Sequence, residues 1–399
     1  MKPFPFRTVL PATAAALLAA SAAAAPLSAQ ARLVIHAQNP LDEARRDEVI
    51  ALPWATVHQR LPSARDGQVR ALTAGGQELL TQVLDADGDS RPDSLLILSD
   101  FWPNEVRDIT IEAAAPAHPQ APRVHVFHDQ RRDDIAWEND RIGYRIYGLG
   151  LLKLEPTTIT SGIDVFSKRT HDMVLETWYQ EDLKHGGIYH HDMGQGADMY
   201  GVGETLGAGG TAIWKDGTLY RARNFHTQRI LANGPIRLVF EVTYDPWNAG
   251  GVQVSETKRV TMDAGQNLFR QENTYRFSGA PQVTYAIGTV HRPGLVGGTS
   301  RTVDGRTWVS TWGPIDTTYS GGHGDLGTGV VIDSAAVMAT KDAAGHYLVL
   351  STARSGQPVV FYTGAGWDDS GDFSGPEDWW AYLSDFSRRL SAPIRVSVE

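Results

Sequence analysis

Across residues 236–291 the chain alternates apolar and polar side chains with a period of two, strand after strand, and that pattern removes most architectures from consideration. Ile236, Leu238, Phe240, Val242 and Tyr244 alternate with Arg237, Glu241 and Thr243, as a strand with one buried face requires. Asp245-Pro246-Trp247-Asn248-Ala249-Gly250-Gly251 reads as a turn cluster. Strands are expected to follow over 252–262, over 267–277 beyond the turn Asp263-Ala264-Gly265, and over 282–291. Long strands joined only by turns pair antiparallel, so this is a meander and not a βαβ repeat. On the third strand Arg270, Glu272, Thr274 and Arg276 share one face, and Phe269, Gln271, Asn273, Tyr275 and Phe277 the other. Such a charged face is either the floor of a polysaccharide cleft or a plain solvated surface.

The expected fold is mainly β: a large antiparallel β-sandwich over residues 130–399, with a smaller N-terminal β region over 32–129. In the smaller region strands are expected at 32–37, 69–73, 79–84, 94–98 and 106–112, and the Pro-rich segment 115–122 reads as a linker or long loop. Helix is scarce. Its clear candidate opens at Gly375-Pro376, carries Glu377 and Asp378 in its first turn, and lines Trp379, Leu383, Phe386 and Leu390 along one face. Arg388 and Arg389 occupy its last turn and Pro393 stops it.

Residues 1–31 carry the marks of a signal peptide. Lys2 and Arg7 form a short positive region, an Ala-rich apolar run follows, and Ala29-Gln30-Ala31 supplies the small-x-small cleavage pattern. The expected location is therefore periplasmic or secreted. No later stretch approaches the roughly 20 apolar residues of a membrane span. The chain has no cysteine, which excludes disulfides, Cys-ligated zinc and a lipid-anchored cysteine. Without Lys2 and Arg7, 34 basic face 46 acidic residues, a balance that argues against nucleic acid as a partner. It does not exclude an anionic sugar, since a cleft can be locally basic on an acidic protein. Eleven Trp and thirteen Tyr offer faces for sugar rings, and large β-sandwiches are also aromatic-rich for purely structural reasons. Nothing in the sequence speaks to oligomeric state.

Two constellations carry chemistry. Asp85, Asp87, Asp89 and Asp93 fall at positions one, three, five and nine of a loop, the spacing of calcium ligands. The match is partial: Ser90 stands where such loops place Gly, Leu96 where they place Glu, and Asp-Gly is also an ordinary hairpin turn. The second is the segment 178–229, read as a long Gly-rich loop that gathers His185, Tyr189, His190, His191, Asp192, Asp198, Tyr200, Glu204, Trp214, Lys215, Arg221, Arg223 and His226. Adjacent His190 and His191 point opposite ways on an extended chain, and no HExxH-type spacing is present, which speaks against a transition metal. Proton abstraction beside cations fits better. Tyr189, His190, His191, Tyr200 and His226 are candidate acids or bases, and Lys215 and Arg221 candidate neutralisers of a uronate carboxylate. Trp137, Glu138, Asn139, Arg141, Trp214, Arg223, His291, Trp312 and Trp367 are candidate substrate contacts, each tryptophan being equally at home in a core. Two carboxylates drawn from Glu138, Asp192 and Glu204 would serve glycoside hydrolysis, although sequence alone does not pair them.

Several segments together resemble a secreted bacterial family known only as a domain of unknown function and found among polysaccharide-degradation genes, notably pectin-type systems. They are Asp134-Ile135-Ala136-Trp137-Glu138-Asn139-Asp140-Arg141, Ser161-Gly162-Ile163-Asp164-Val165, Tyr189-His190-His191-Asp192-Met193-Gly194, Leu231-Ala232-Asn233-Gly234-Pro235-Ile236-Arg237 and Ser255-Glu256-Thr257-Lys258-Arg259. The meander with its Asp-Ala-Gly turn is also similar to the supersandwich of galactose mutarotases and several lyases, a likeness of fold and not of site. These resemblances imply an exported carbohydrate-active enzyme. The reaction expected is β-elimination on an acidic glycan, with hydrolysis, epimerisation and non-catalytic sugar binding as the alternatives.

Overall fold

The computed structural model describes Met1, residues 31–315 and residues 322–399. The expected signal peptide, apart from Met1 and Ala31, lies outside the described residues. The alternation of the meander becomes an eight-stranded antiparallel sheet in the order Thr227–Asn233, Arg237–Ala249, Val252–Asp263, Leu268–Phe277, Pro358–Trp367, Asp325–Asp333, Arg306–Pro314, Val296–Val303. Its register pairs Phe240 with Val260 and Gln271 with Phe361, so the apolar sets of successive strands share one face. The strand expected to stop at Asp245 runs on to Ala249. A bulge between Tyr244 and Trp247 absorbs Pro246, so the turn cluster contributes only its glycine end.

Two smaller sheets cover the inner face of this large sheet. One runs Thr218–Tyr220, Ala208–Lys215, Val283–Val290, His346–Ala353, Ala339–Ala343, and packs Ile213, Tyr285 and Ile287 onto Val254, Tyr275 and Phe361. The other runs Gly196–Ala197, Asp164–Lys168, Gly143–Tyr147, Asp134–Asn139, Val124–Asp129, and packs Trp137, Tyr144 and Val165 onto Phe240, Met262 and Phe269. Trp137 is closed into that core, against Tyr144 and Phe269, and cannot meet a sugar. On the outer face lies the C-terminal helix. Of three α-helices among the described residues, α1 (Trp54–Arg60), α2 (Leu175–His185) and α3 (Pro376–Ser391), the last sets Trp379, Leu383 and Phe386 over Trp308, Trp312 and Val331, as its apolar stripe predicts. Trp312 is thereby core and not a sugar platform.

The N-terminal β region is a small sandwich of a five-stranded and a three-stranded sheet with its own apolar core, including Ile35, Ile50, Ile97 and Ile109. The C-terminal strand Arg395–Val398 completes its edge by pairing with Arg32–Gln38. A boundary at residue 129 cuts the hairpin of Val124–Asp129 with Asp134–Asn139, so the chain passes between the two bodies earlier, near the Pro-rich segment. The charged face carrying Arg270 and Glu272 lines a hollow of about 690 Å³ between the strand Arg45–Pro53, the large sheet and the end of α3. Its charges largely satisfy one another: Arg237 clasps Asp263 at 2.5 and 2.7 Å, Arg259 holds Glu241 at 2.9 Å, and Arg270 bonds Glu272. No described helix is long and apolar enough to cross a membrane.

Candidate functional site

The segment 178–229 is not one loop. It opens inside α2 and contains the strands Ala208–Lys215 and Thr218–Tyr220, and its long irregular stretch is 186–207, interrupted by a short turn of helix and a two-residue strand, with a second, shorter one at 221–226. That irregular stretch, with α2, covers the outer face of the sheet containing Asp134–Asn139, Gly143–Tyr147 and Asp164–Lys168. Alternation puts Asp134, Glu138, Arg145, Tyr147, Asp164 and Lys168 on that face, an unusual set of charges to bury, and each is paired. Lys168 Nζ donates to Glu138 at 2.5 Å and to the carbonyls of Asn139 and Asp172, while Glu138 Oε1 accepts from the Leu175 amide at 2.8 Å at the start of α2. Asn139 donates to the carbonyls of Asp263 and Gln266. Glu138 and Asn139, expected to contact substrate, are thus wholly buried fasteners.

Arg145 is the second fastener. Its Nη2 donates to Asp164 and to Asp198, both at 2.7 Å, and Tyr147 donates to Asp164. Tyr179 and Tyr189 stack on one another beside the guanidinium, and Tyr179 donates to Asp134 at 3.0 Å. One guanidinium shared by two buried carboxylates stabilises each anion less than it would a single partner. Burial, reinforced by Asp164 and only partly offset by Arg145, pushes Asp198 up to about 8, and burial likewise pushes Asp134 up to about 7 against the opposing pull of Arg145. Tyr189, a candidate base, is 4 % exposed, and burial pushes its phenol up to about 12, so in this structure it forms a wall of the network. His190 points Nδ1 at the Asp198 carbonyl (2.9 Å), and burial holds its imidazole below the usual histidine range. Both residues fix the stretch 188–198 in place.

What the fastened stretch offers to the neighbouring segments is Asp192, its side chain only 9 % exposed. The Gly194 and Gly196 amides donate to its Oδ1 at 2.7 and 2.9 Å, and Gly196 adopts φ +108° where a side chain would strike the Ser167 backbone. Burial alone would raise Asp192, but the Gly196 and Gly194 amides, Arg169 and His323 outweigh it and hold the carboxyl below the ordinary range. Asp192 Oδ2 accepts from Arg169 Nη2 and lies 3.3 Å from His323 Nε2. His323 Nδ1 meets Asp369 Oδ2 at 2.6 Å, and Asp369 lies 3.7 Å from the same Arg169 nitrogen, which closes a four-residue ring. The ring rests on Trp367: the Arg169 guanidinium sits 4.9 Å from its centroid, the His323 imidazole 5.3 Å, and its indole N–H donates to the His323 carbonyl. Gly324, at φ +77°, permits this closeness, since a Cβ there would fall 2.5 Å from Asp368 Oδ1 and 2.6 Å from Trp367 Nε1. Trp367, expected as a platform, is 1 % exposed and serves as the bed of the ring. The His323 side chain is 39 % exposed and faces solvent. An imidazole oriented by one carboxylate and flanked by a second, with a cation alongside, can move a proton and hold a carboxylate.

The remaining candidates are dispersed. His191 is exposed on the stretch beside Asp192. Tyr200 is buried under the Arg292 guanidinium. Arg221 faces Glu204 at 3.7 Å, Arg223 is exposed, and Trp214 is half-buried against the small core around Leu206 and Leu348. His291 stacks on Tyr347 and meets Asp342 at 3.0 Å. Lys215 bonds the Gly250 carbonyl and His226 bonds Asp245, at the end of the large sheet opposite Trp367, so neither shares a site with His190. Arg141 bonds Asp372 at 2.9 Å, near the ring. Sequence reasoning missed Arg169, His323 and Asp369. The signals were a histidine between glycines in Gly322-His323-Gly324 and the pair Asp368-Asp369 directly after Trp367.

In the acidic loop, oxygens of Asp85, Asp87 and Asp89 lie within 4.8 Å of one another, as a cation would need. Asp85 accepts from the Gly88 and Ser90 amides, Asp87 from Asp89, and Asp89 from Arg91, while Asp93 turns to the Ala86 amide. The loop therefore closes through its own backbone, and Asp93 is drawn into that turn.

The fold recurs in a crystal structure of a protein in the Glycosyl Hydrolase Family 38 from Enterococcus faecalis, at a TM-score of 0.51 and 8 % identity over 92 % of this chain. This chain spans 47 % of that one, about half its length. An alpha-mannosidase from Enterococcus faecalis V583 superposes at a TM-score of 0.41 and 8 % identity, over 92 % of this chain and 46 % of its own. In sequence, the chain is similar to Uncharacterized protein P7 of Formosa agariphila, 28 % identical over 336 residues, or 80 % of this chain and 82 % of that protein. With the family pattern matched over residues 37–396, nearly all of the described protein, the chain belongs to the family described as Domain of unknown function (DUF4861).

Proposed function

We propose that the protein is an exported carbohydrate-active enzyme that cleaves a uronate-containing glycan by β-elimination at the ring of Arg169, Asp192, His323 and Asp369. The observation that carries this reading is the His323 imidazole, oriented through Nδ1 by Asp369 and solvent-accessible beside the Arg169 cation. The carbohydrate-related fold of the glycosyl hydrolase structure is compatible with it. Elimination removes the proton alpha to the uronate carboxylate. The freed electron pair becomes the C4–C5 double bond, and the C4–O bond breaks with its electrons leaving on oxygen. Arg169 would pair with the carboxylate as negative charge builds on it, and Nε2 of neutral His323 would take the proton. The resulting imidazolium donates to Asp192 and Asp369, and it then returns the proton to the departing oxygen.

Two carboxylates around one guanidinium nitrogen favour hydrolysis as a second reading, with Asp192 and Asp369 as the carboxylate pair. A panel of uronate glycans separates the two. Elimination yields an unsaturated product with new ultraviolet absorbance, whereas hydrolysis yields reducing ends without it. His323→Ala is expected to lower elimination by roughly 10²–10⁴-fold, the usual worth of a positioned base. New reducing ends with no absorbance change would transfer the site to hydrolysis, and neither product on any glycan would remove the enzyme reading.

A further inference from the structure

A second surface on the N-terminal β region bears the marks of sugar recognition. Trp102 is 70 % exposed, the one aromatic among the exposed large hydrophobic residues described. Its indole makes no hydrogen bond or ring contact among the described residues, yet its backbone is held firmly. The amide donates to Glu105 Oε2 at 2.6 Å, and the carbonyl accepts from Asn39 Nδ2 at 2.9 Å and from the Glu105 amide. The same Asn39 nitrogen donates to the Glu43 carbonyl at 2.8 Å, so one buried side chain ties the Trp102 turn to the segment leading into Arg46. Arg46 is exposed and has no ion pair or hydrogen bond among the described residues, whereas nearby Arg107 and Arg123 are paired with carboxylates. Trp102 and Arg46 line a groove of about 500 Å³, within the roughly 300–1,000 Å³ of small-ligand sites. A bare indole on a fixed backbone is a stacking surface that gives up only its own two side-chain torsions on binding, and an unpaired guanidinium is a carboxylate fork.

Arg46 also lines a second hollow, of about 370 Å³, whose far wall holds Arg141 and Asp372. The two hollows share Ala44, Arg46 and Asp47, so they adjoin and form one approach from Trp102 to Arg141 and Asp372, the latter three residues after Asp369 of the ring. We infer that this approach binds an acidic glycan chain, with one sugar stacked on Trp102 and a uronate carboxylate on Arg46. The inference rests on the acidic-glycan reading above but not on the reaction assigned to the ring.

The test is native gel electrophoresis of the protein through polygalacturonate or polymannuronate, with dextran as the neutral control. Wild type and His323→Ala are expected to be retarded alike by at least one polyuronate and not by dextran. Trp102→Ala and Arg46→Gln, both at exposed positions, are expected to weaken retardation about tenfold, or ~1.4 kcal/mol, with unchanged thermal unfolding. Retardation of wild type that survives both substitutions would overturn the inference. So would equal retardation by dextran, or none by any polyuronate, an outcome that would turn Trp102 into a protein-contact residue. If the substitutions abolish retardation while no elimination or hydrolysis is found, the binding surface stands and the assigned reaction falls.

Discussion

At the scale of residues, the buried network under the stretch 188–198 makes a claim about pH. Asp198 is raised to about 8 and Asp134 to about 7, so the folded protein keeps protons that an unfolded chain, with carboxyls near about 4, has given up. A raised acid stabilises the fold fully below the unfolded value and loses that contribution as pH climbs through the folded one. Thermal unfolding midpoints are therefore expected to fall between about pH 5 and pH 8.5. Asp198→Asn, which cannot ionise, should flatten part of that fall, and an identical slope in variant and wild type would show that Asp198 is already ionised near neutral pH. The same network explains why Tyr189 and His190 looked catalytic in sequence. A tyrosine and a histidine among glycines carry the same letters whether they face solvent or an arginine, and burial, which decides between the two, is a tertiary property.

Among the elements, strands were legible and α2 was not. Period-two alternation located the strands Val252–Asp263, Leu268–Phe277 and Val283–Val290 to within a residue or two, because one buried face imposes the pattern directly. α3 was equally readable from its Pro start, acidic first turn and apolar stripe. The segment forming α2, Leu175-Glu176-Thr177-Trp178-Tyr179, carries a β-branched and two aromatic residues and no side-chain cap, and its amide end is held by Glu138 from a distant strand. Its helicity is therefore a consequence of packing. Lys168→Met should test this. Leaving the Glu138 carboxylate buried without its cation is expected to destabilise the protein by about 3–5 kcal/mol in denaturant unfolding. Adding Glu138→Gln should recover much of that loss, and a neutral effect of Lys168→Met alone would mean that the pair fastens nothing.

For the molecule as a whole, segments far apart in sequence meet. The strand Arg395–Val398 closes the edge of the N-terminal sheet, and Arg45 donates to the Ala392 carbonyl, so the small sandwich is completed by residues more than 340 positions away. Removing residues 394–399 is expected to speed hydrogen exchange through the strand Arg32–Gln38 while leaving the large sheet protected, and unchanged exchange there would make the closing strand dispensable. The ring that forms the candidate site is also a whole-molecule product. Arg169, Asp192, His323 and Asp369 come from four separated segments, and nothing local in the sequence joins them. The measurement that bears most directly on the central claim is ultraviolet absorbance during incubation with uronate glycans, made in parallel for wild type, His323→Ala and a His190→Ala, His191→Ala double variant. The account predicts a rise that His323→Ala abolishes and the double variant only slows. A rise that survives in His323→Ala and vanishes in the double variant would contradict it and return the chemistry to the 188–198 stretch.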